Sequence, residues 1–145
     1  MKKLILTLVI AICSVAALSA RDNYSRDPSI LPQAAQNVIS TQFKAKVSII
    51  KVDKTMGRVD EYEVVLTDGT EITFDRSGNW KDIETSASTA VPKAFVPKGV
   101  ADYVAKNHKG RKIVGIEQDR GGYEIELSDG IDIKFDRQGN FKRYD

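Results

Sequence analysis

The chain repeats itself. Residues 62–84, YEVVLTDGTEITFDRSGNWKDIE, return as residues 123–145, YEIELSDGIDIKFDRQGNFKRYD, at an offset of 61 with 12 of 23 positions identical. Each copy centres on an Asp-Gly pair, Asp68-Gly69 and Asp129-Gly130. Such a pair marks a two-residue hairpin turn, because both central positions want positive φ. Tyr62, Val64 and Leu66 alternate before the first turn, and Ile72 and Phe74 carry the same face back. A strand that alternates apolar and polar residues buries one side only. Asp75-Arg76-Ser77-Gly78 predicts a second tight turn, with Gly78 left-handed. Trp80 then opens a further short strand.

The residues before each copy complete a unit. Pro32 opens a helical pattern that ends near 44–46, with Ala35, Val38, Ile39, Gln42 and Phe43 on one face. Proline is tolerated at such a start because its missing N–H has no partner there. Residues 47–52 are β-branched and aliphatic and predict a strand. Residues 54–60 contain Gly57 and predict a loop. The second helix is predicted over 97–108, with Val100, Tyr103 and Val104 as its buried stripe and Gly110 as its stop. A strand over 113–117 and the short loop Arg120-Gly121-Gly122 lead into the second copy.

The predicted fold class is α+β: two tandem helix-plus-antiparallel-meander units, with the sheet covered on one face by helices. Unit 1 spans 31–84 and unit 2 spans 95–145. Residues 85–94, small and polar with Pro92, are the predicted linker; residues 21–30 are the predicted flexible lead. One helix on four short strands buries little area. The two sheets are therefore expected to join edge to edge over one continuous core.

Residues 1–20 read as a secretory signal peptide. Lys2 and Lys3 precede an apolar run at 4–18, and small residues precede Arg21-Asp22. Cleavage is expected after Ser19 or Ala20. The run is shorter than the ~20 residues a membrane span needs, and Ile12 before Cys13 argues against a lipid anchor. No stable membrane anchor is expected after cleavage, so the protein is expected to be periplasmic or secreted. Removing two lysines from 22 bases leaves 20, against 20 acids, so the mature chain has no net charge. That balance, with no basic stripe, argues against a nucleic-acid partner.

Catalytic chemistry finds little support. Cys13 leaves with the signal, and His108 is the one histidine. A zinc site or a cysteine–histidine nucleophile lacks its ligands, and no G-x-S-x-G elbow accompanies the serines. His108 sits at a predicted helix end, where a cation is favoured. Asp75-x-x-Gly78-Asn79 and Asp136-x-x-Gly139-Asn140 lack the spacing of a calcium loop and read as turns. Trp80 aligns with Phe141 and reads as a core aromatic rather than a sugar platform. No catalytic residue, metal site or cofactor is expected.

The alternation does identify an outer face. With Tyr62, Val64, Leu66, Ile72 and Phe74 turned to the helices, Glu63, Val65, Glu71 and Thr73 point away. In the second copy Glu124, Glu126, Asp132 and Lys134 point away. Antiparallel sheets often leave such a side to water. A partner-binding surface is the alternative, and the positions at which the copies differ, Val65 against Glu126 and Thr70 against Ile131, are where specificity would lie.

The whole pattern resembles the PepSY-like, beta-lactamase-inhibitor-like proteins exported by Bacteroides-type bacteria. It is carried by Tyr62, Val64, Leu66, Asp68, Gly69, Ile72, Phe74, Asp75, Gly78, Asn79 and Trp80. It recurs at Tyr123, Ile125, Leu127, Asp129, Gly130, Ile133, Phe135, Asp136, Gly139, Asn140 and, in place of tryptophan, Phe141. The resemblance implies a tandem α+β fold like that of a secreted beta-lactamase inhibitor, with helices backing a concave sheet, and the missing catalytic residues lead to the expectation of a non-enzymatic protein. Fold does not carry function. The expected function is an exported module that binds a protein or peptide of the cell envelope through the open face, with inhibition as one form of it. The alternative is a small-ligand or carbohydrate site in a groove between the units.

Overall fold

The computed structural model describes residues 23–145. The predicted signal peptide and Cys13 lie outside the described residues. Among the described residues nine strands form one antiparallel sheet whose spatial order is the chain order. β1 is Tyr24–Ser25, β2 Val47–Thr55, β3 Arg58–Leu66, β4 Glu71–Asp75 and β5 Trp80–Glu84. β6 is Ile113–Asp119, β7 Gly122–Leu127, β8 Asp132–Phe135 and β9 Phe141–Tyr144. Two ten-residue helices, α1 (Gln33–Gln42) and α2 (Lys98–Asn107), precede β2 and β6.

The sheets of the two halves do join, through β5 and β6. That seam is three pairs long: Asp82 opposite Glu117, Ile83 opposite Ile116, Glu84 opposite Gly115. One buried cluster runs through it, from Leu31, Ala35, Ile39, Ile50, Val64 and Ile72 to Val100, Val104, Ile116, Ile125 and Ile133. Burying each of the leucine, isoleucine and valine side chains among them contributes about 1.5–3 kcal/mol. Both helices lie on this side, so the other side of the sheet is left uncovered.

Neither helix has a side-chain N-cap; Pro32 and Pro97 occupy those positions. The turns after β4 and β8 pack against the helix starts instead. A Cβ on Gly78 would stand 2.9 Å from the Ala35 nitrogen and 2.9 Å from the Pro32 Cβ. A Cβ on Gly99 would stand 2.7 Å from the Gly139 carbonyl oxygen. Glycine is required where backbones approach this closely. These turns are locked from within. The Asp75 carboxylate accepts from the Ser77 and Asn79 amides at 2.8 and 2.9 Å and from Asn79 Nδ2 at 3.0 Å. Asp136 does the same for Gln138 and Asn140.

Several expectations change. The predicted flexible lead contains β1, with Tyr24 opposite Lys51, and a 3-10 turn at Pro28–Ile30 capped by Asp27. The predicted loop at 54–60 shrinks to Met56-Gly57, both at positive φ, because β2 and β3 run on as an exposed hairpin. α1 stops before Phe43, which is extended (φ −125°, ψ 141°) and reaches the core from outside the helix. The predicted linker is ordered against β6. Thr85 and Val91 donate to the carbonyls of Val114 and Ile113, both at 2.8 Å, and Phe95 is buried.

Candidate functional site: the open sheet face

All eight residues predicted to face outward stand on the uncovered side. Glu63 lies opposite Thr73 and Val65 opposite Glu71; Glu124 lies opposite Lys134 and Glu126 opposite Asp132. Directly opposed side chains on one face have Cβ atoms about 4.5–5.5 Å apart. The register strings them into rows across the sheet. One row runs Glu71, Glu84, Gly115, Glu126, Asp132. The next runs Lys51, Glu63, Thr73, Asp82, Glu117, Glu124, Lys134, Arg143.

Asp82 and Glu84 escape the sequence reading for a specific reason. Strict alternation from an inward Trp80 turns both of them inward. A bulge intervenes: Phe74 pairs with Trp80, yet the next residue back, Thr73, pairs with Asp82. The extra residue, Lys81, reverses the phase of the strand. The signal that could have found this is Ile83, fully buried, which demands that its neighbours face out. A matching bulge puts Lys142 between Phe141 and Arg143.

Lysines occupy the flanks. Lys51 Nζ lies 2.9 Å from Asp53 Oδ2 and 3.2 Å from Glu63 Oε1. Lys81 Nζ lies 2.8 Å from Glu61 Oε2. Oxygens of Asp53, Glu61 and Glu63 fall within 4.8 Å of one another, and these two ammonium groups sit on them. On the far flank Lys134 Nζ lies 2.9 Å from Asp145 and 3.6 Å from Glu124. The middle differs: among the described residues no ion pair reaches Glu71, Asp82, Glu84, Glu126 or Asp132. Burial, followed by the charges of Glu84 and Glu117, raises the Asp82 carboxyl to about 7. Burial, followed by the charges of Glu71, Glu126 and Asp132, raises Glu84 to about 7. Glu71 moves upward too, through burial and then Glu63.

The other singled-out residues serve packing. Trp80 is half-buried, its ring edge-on to Phe95 at 5.4 Å. Phe141 departs from that equivalence: it is 40% exposed and stacked on Tyr103 at 4.8 Å. His108 caps α2, its Nε2 lying 3.1 Å from the Tyr144 hydroxyl, which meets the Tyr103 hydroxyl at 3.0 Å. Both oxygens of Asp75, and both of Asp136, are engaged by their own turns. A surface cavity of about 330 Å³, lined by Tyr24, Ile30, Val52, Val59 and Tyr62, lies at the β1–β3 end. Between the halves β5 and β6 are paired, so the sheet runs on where the alternative reading placed a groove.

A single open antiparallel sheet with two helices on one face and an acidic opposite face defines a small α+β protein with a broad exposed surface. Residues 60–143, more than half the chain, match the PepSY-like family, described as beta-lactamase-inhibitor-like. The chain belongs to that family. It is similar to a periplasmic protein of unknown function from Bacteroides vulgatus, at 36% identity and TM-score 0.79 over 84% of this chain and 97% of the other. A second Bacteroides vulgatus periplasmic protein is similar at 36% identity and TM-score 0.75, over 86% and 98% of the two chains. A Bacteroides thetaiotaomicron periplasmic protein, described as calcium-regulated, is similar at 34% identity and TM-score 0.74, over 81% and 91%. No curated protein matches the chain. Like these neighbours the chain is an exported protein, and no helix among the described residues is long and apolar enough to cross a membrane.

Proposed function

We propose that the chain is a non-catalytic binding module of the cell envelope, built from two tandem units, which holds a basic segment of a protein or peptide on its open sheet face. One observation carries the proposal. The centre of that face gathers Glu71, Glu84, Glu126 and Asp132 in one row with no lysine or arginine among the described residues bonded to them, while the flanks already hold Lys51 and Lys134 in carboxylate company. The intramolecular ammonium groups illustrate what the rest of the face accepts. Charge complementarity of this kind sets encounter rate and specificity more than raw affinity. Inhibition of an enzyme is one use of such a surface, and calcium, which regulates one neighbour by its description, is a second cation able to compete for it.

The test is zero-length carbodiimide cross-linking of the mature chain in a periplasmic extract, with and without calcium chloride. Amide bonds between partner lysines and Glu71, Glu84, Glu126 or Asp132 are expected. Cross-links confined to the helical side, or a captured partner indifferent to Glu71→Lys with Glu126→Lys, overturn the proposal.

A further inference from the structure

The seam between the two halves is short, and its chemistry is unusual. Of its three β5 residues, the outer two are Asp82 and Glu84. Each has an acid directly opposite it on one side and further acids beyond. Toward β4, Asp82 meets Thr73 and Glu84 meets Glu71. Toward β6, Asp82 meets Glu117 and Glu84 meets Gly115, with no side chain between it and Glu126 on β7. Glu124 on β7 and Asp132 on β8 lie beyond. The ion pairs of the nearby lysines run to other carboxylates, Lys81 to Glu61, Lys51 to Asp53 and Glu63, Lys134 to Glu124 and Asp145, while Lys81 also lies within electrostatic reach of Glu117. Like charges set directly opposite destabilise a strand pair.

We propose that the β5–β6 seam is a proton-operated clasp, closed while Asp82 and Glu84 hold protons and loosened as they ionise, with pairing inside each half unchanged. Past one end of the seam the halves stay tethered by Thr85 and Val91 on β6, past the other by Gln118 Nε2 on the Trp80 carbonyl, and beneath it by the shared core. Loosening is therefore local: the sheet flexes between its halves and the curvature of the open face changes. The raised carboxyls set the range. Both folded values, about 7, lie above the ordinary carboxylate values of the unfolded chain. The stability they contribute is full below about pH 4 and lost as pH rises through about 7.

Amide hydrogen exchange of the mature chain, corrected for intrinsic rates, tests this between pH 5.5 and 8.5. Protection along 82–84 and 115–117 is expected to fall at least tenfold toward pH 8.5, while Val64 and Ile72 hold theirs. The double variant Asp82→Asn/Glu84→Gln is expected to stay protected at both ends of the range. Uniform protection across pH in the wild type overturns the proposal. So do side-chain carboxyl ¹³C titrations of Asp82 and Glu84 with midpoints below 5, a readout that needs no variant to fold.

Discussion

Two residues with opposite tendencies show what the local physics decides. Gly99 lies in the first turn of α2, where alanine ordinarily gains about 1 kcal/mol over glycine. Here the added Cβ would meet the Gly139 carbonyl at 2.7 Å. Gly99→Ala is therefore expected to lower stability by about 1–3 kcal/mol, read as a shifted urea midpoint with an unchanged slope. Asp82 behaves in reverse. Its ionised form is disfavoured in the fold, so Asp82→Asn removes a cost present only when the group is charged. The variant is expected to exceed the wild type by more than about 1 kcal/mol at pH 8 and to match it at pH 4. Urea melts at the two pH values check it. Asp75→Ala loses three accepted hydrogen bonds, and a loss of about 1–2 kcal/mol is expected in the same measurement.

At the scale of elements, legibility followed periodicity. The hairpin strands, both helices and the outward set Glu63 to Lys134 could be read because Asp-Gly turns pin register and alternation then assigns faces. Three things could not. The bulge at Lys81 breaks alternation, so Asp82 and Glu84, the central acids of the face, were hidden by an inward Trp80. β1 is two residues long and exists through its pairing with Lys51 and Ile50, a tertiary fact. The segment at 85–94 is small and polar in composition, yet it delivers Val91 and leads to Phe95. Phe95 stacks on Phe43 from the first half at 5.8 Å and meets Trp80 edge-on. Phe95→Ala is accordingly expected to cost about 3–5 kcal/mol, with loss of the Trp80 near-ultraviolet circular dichroism signal.

For the molecule as a whole, the continuous core and the paired seam make one cooperative body of what the repeat suggests are two. Calorimetry is expected to show a single transition whose calorimetric and van't Hoff enthalpies agree. Ile116→Ala is expected to shift that transition without splitting it. The strand order carries a consequence for biogenesis. Among the described residues each strand pairs only with the strands before and after it in the chain. Every hairpin closes a short loop, and the longest wait is that of β5 for β6, across α2. Low sequence separation between partners favours fast folding and brief exposure of strand edges. A polypeptide delivered across a membrane from its amino end would meet its pairing partners in order of arrival. The sheet can grow as a zipper grows, with no strand inserted between two already joined.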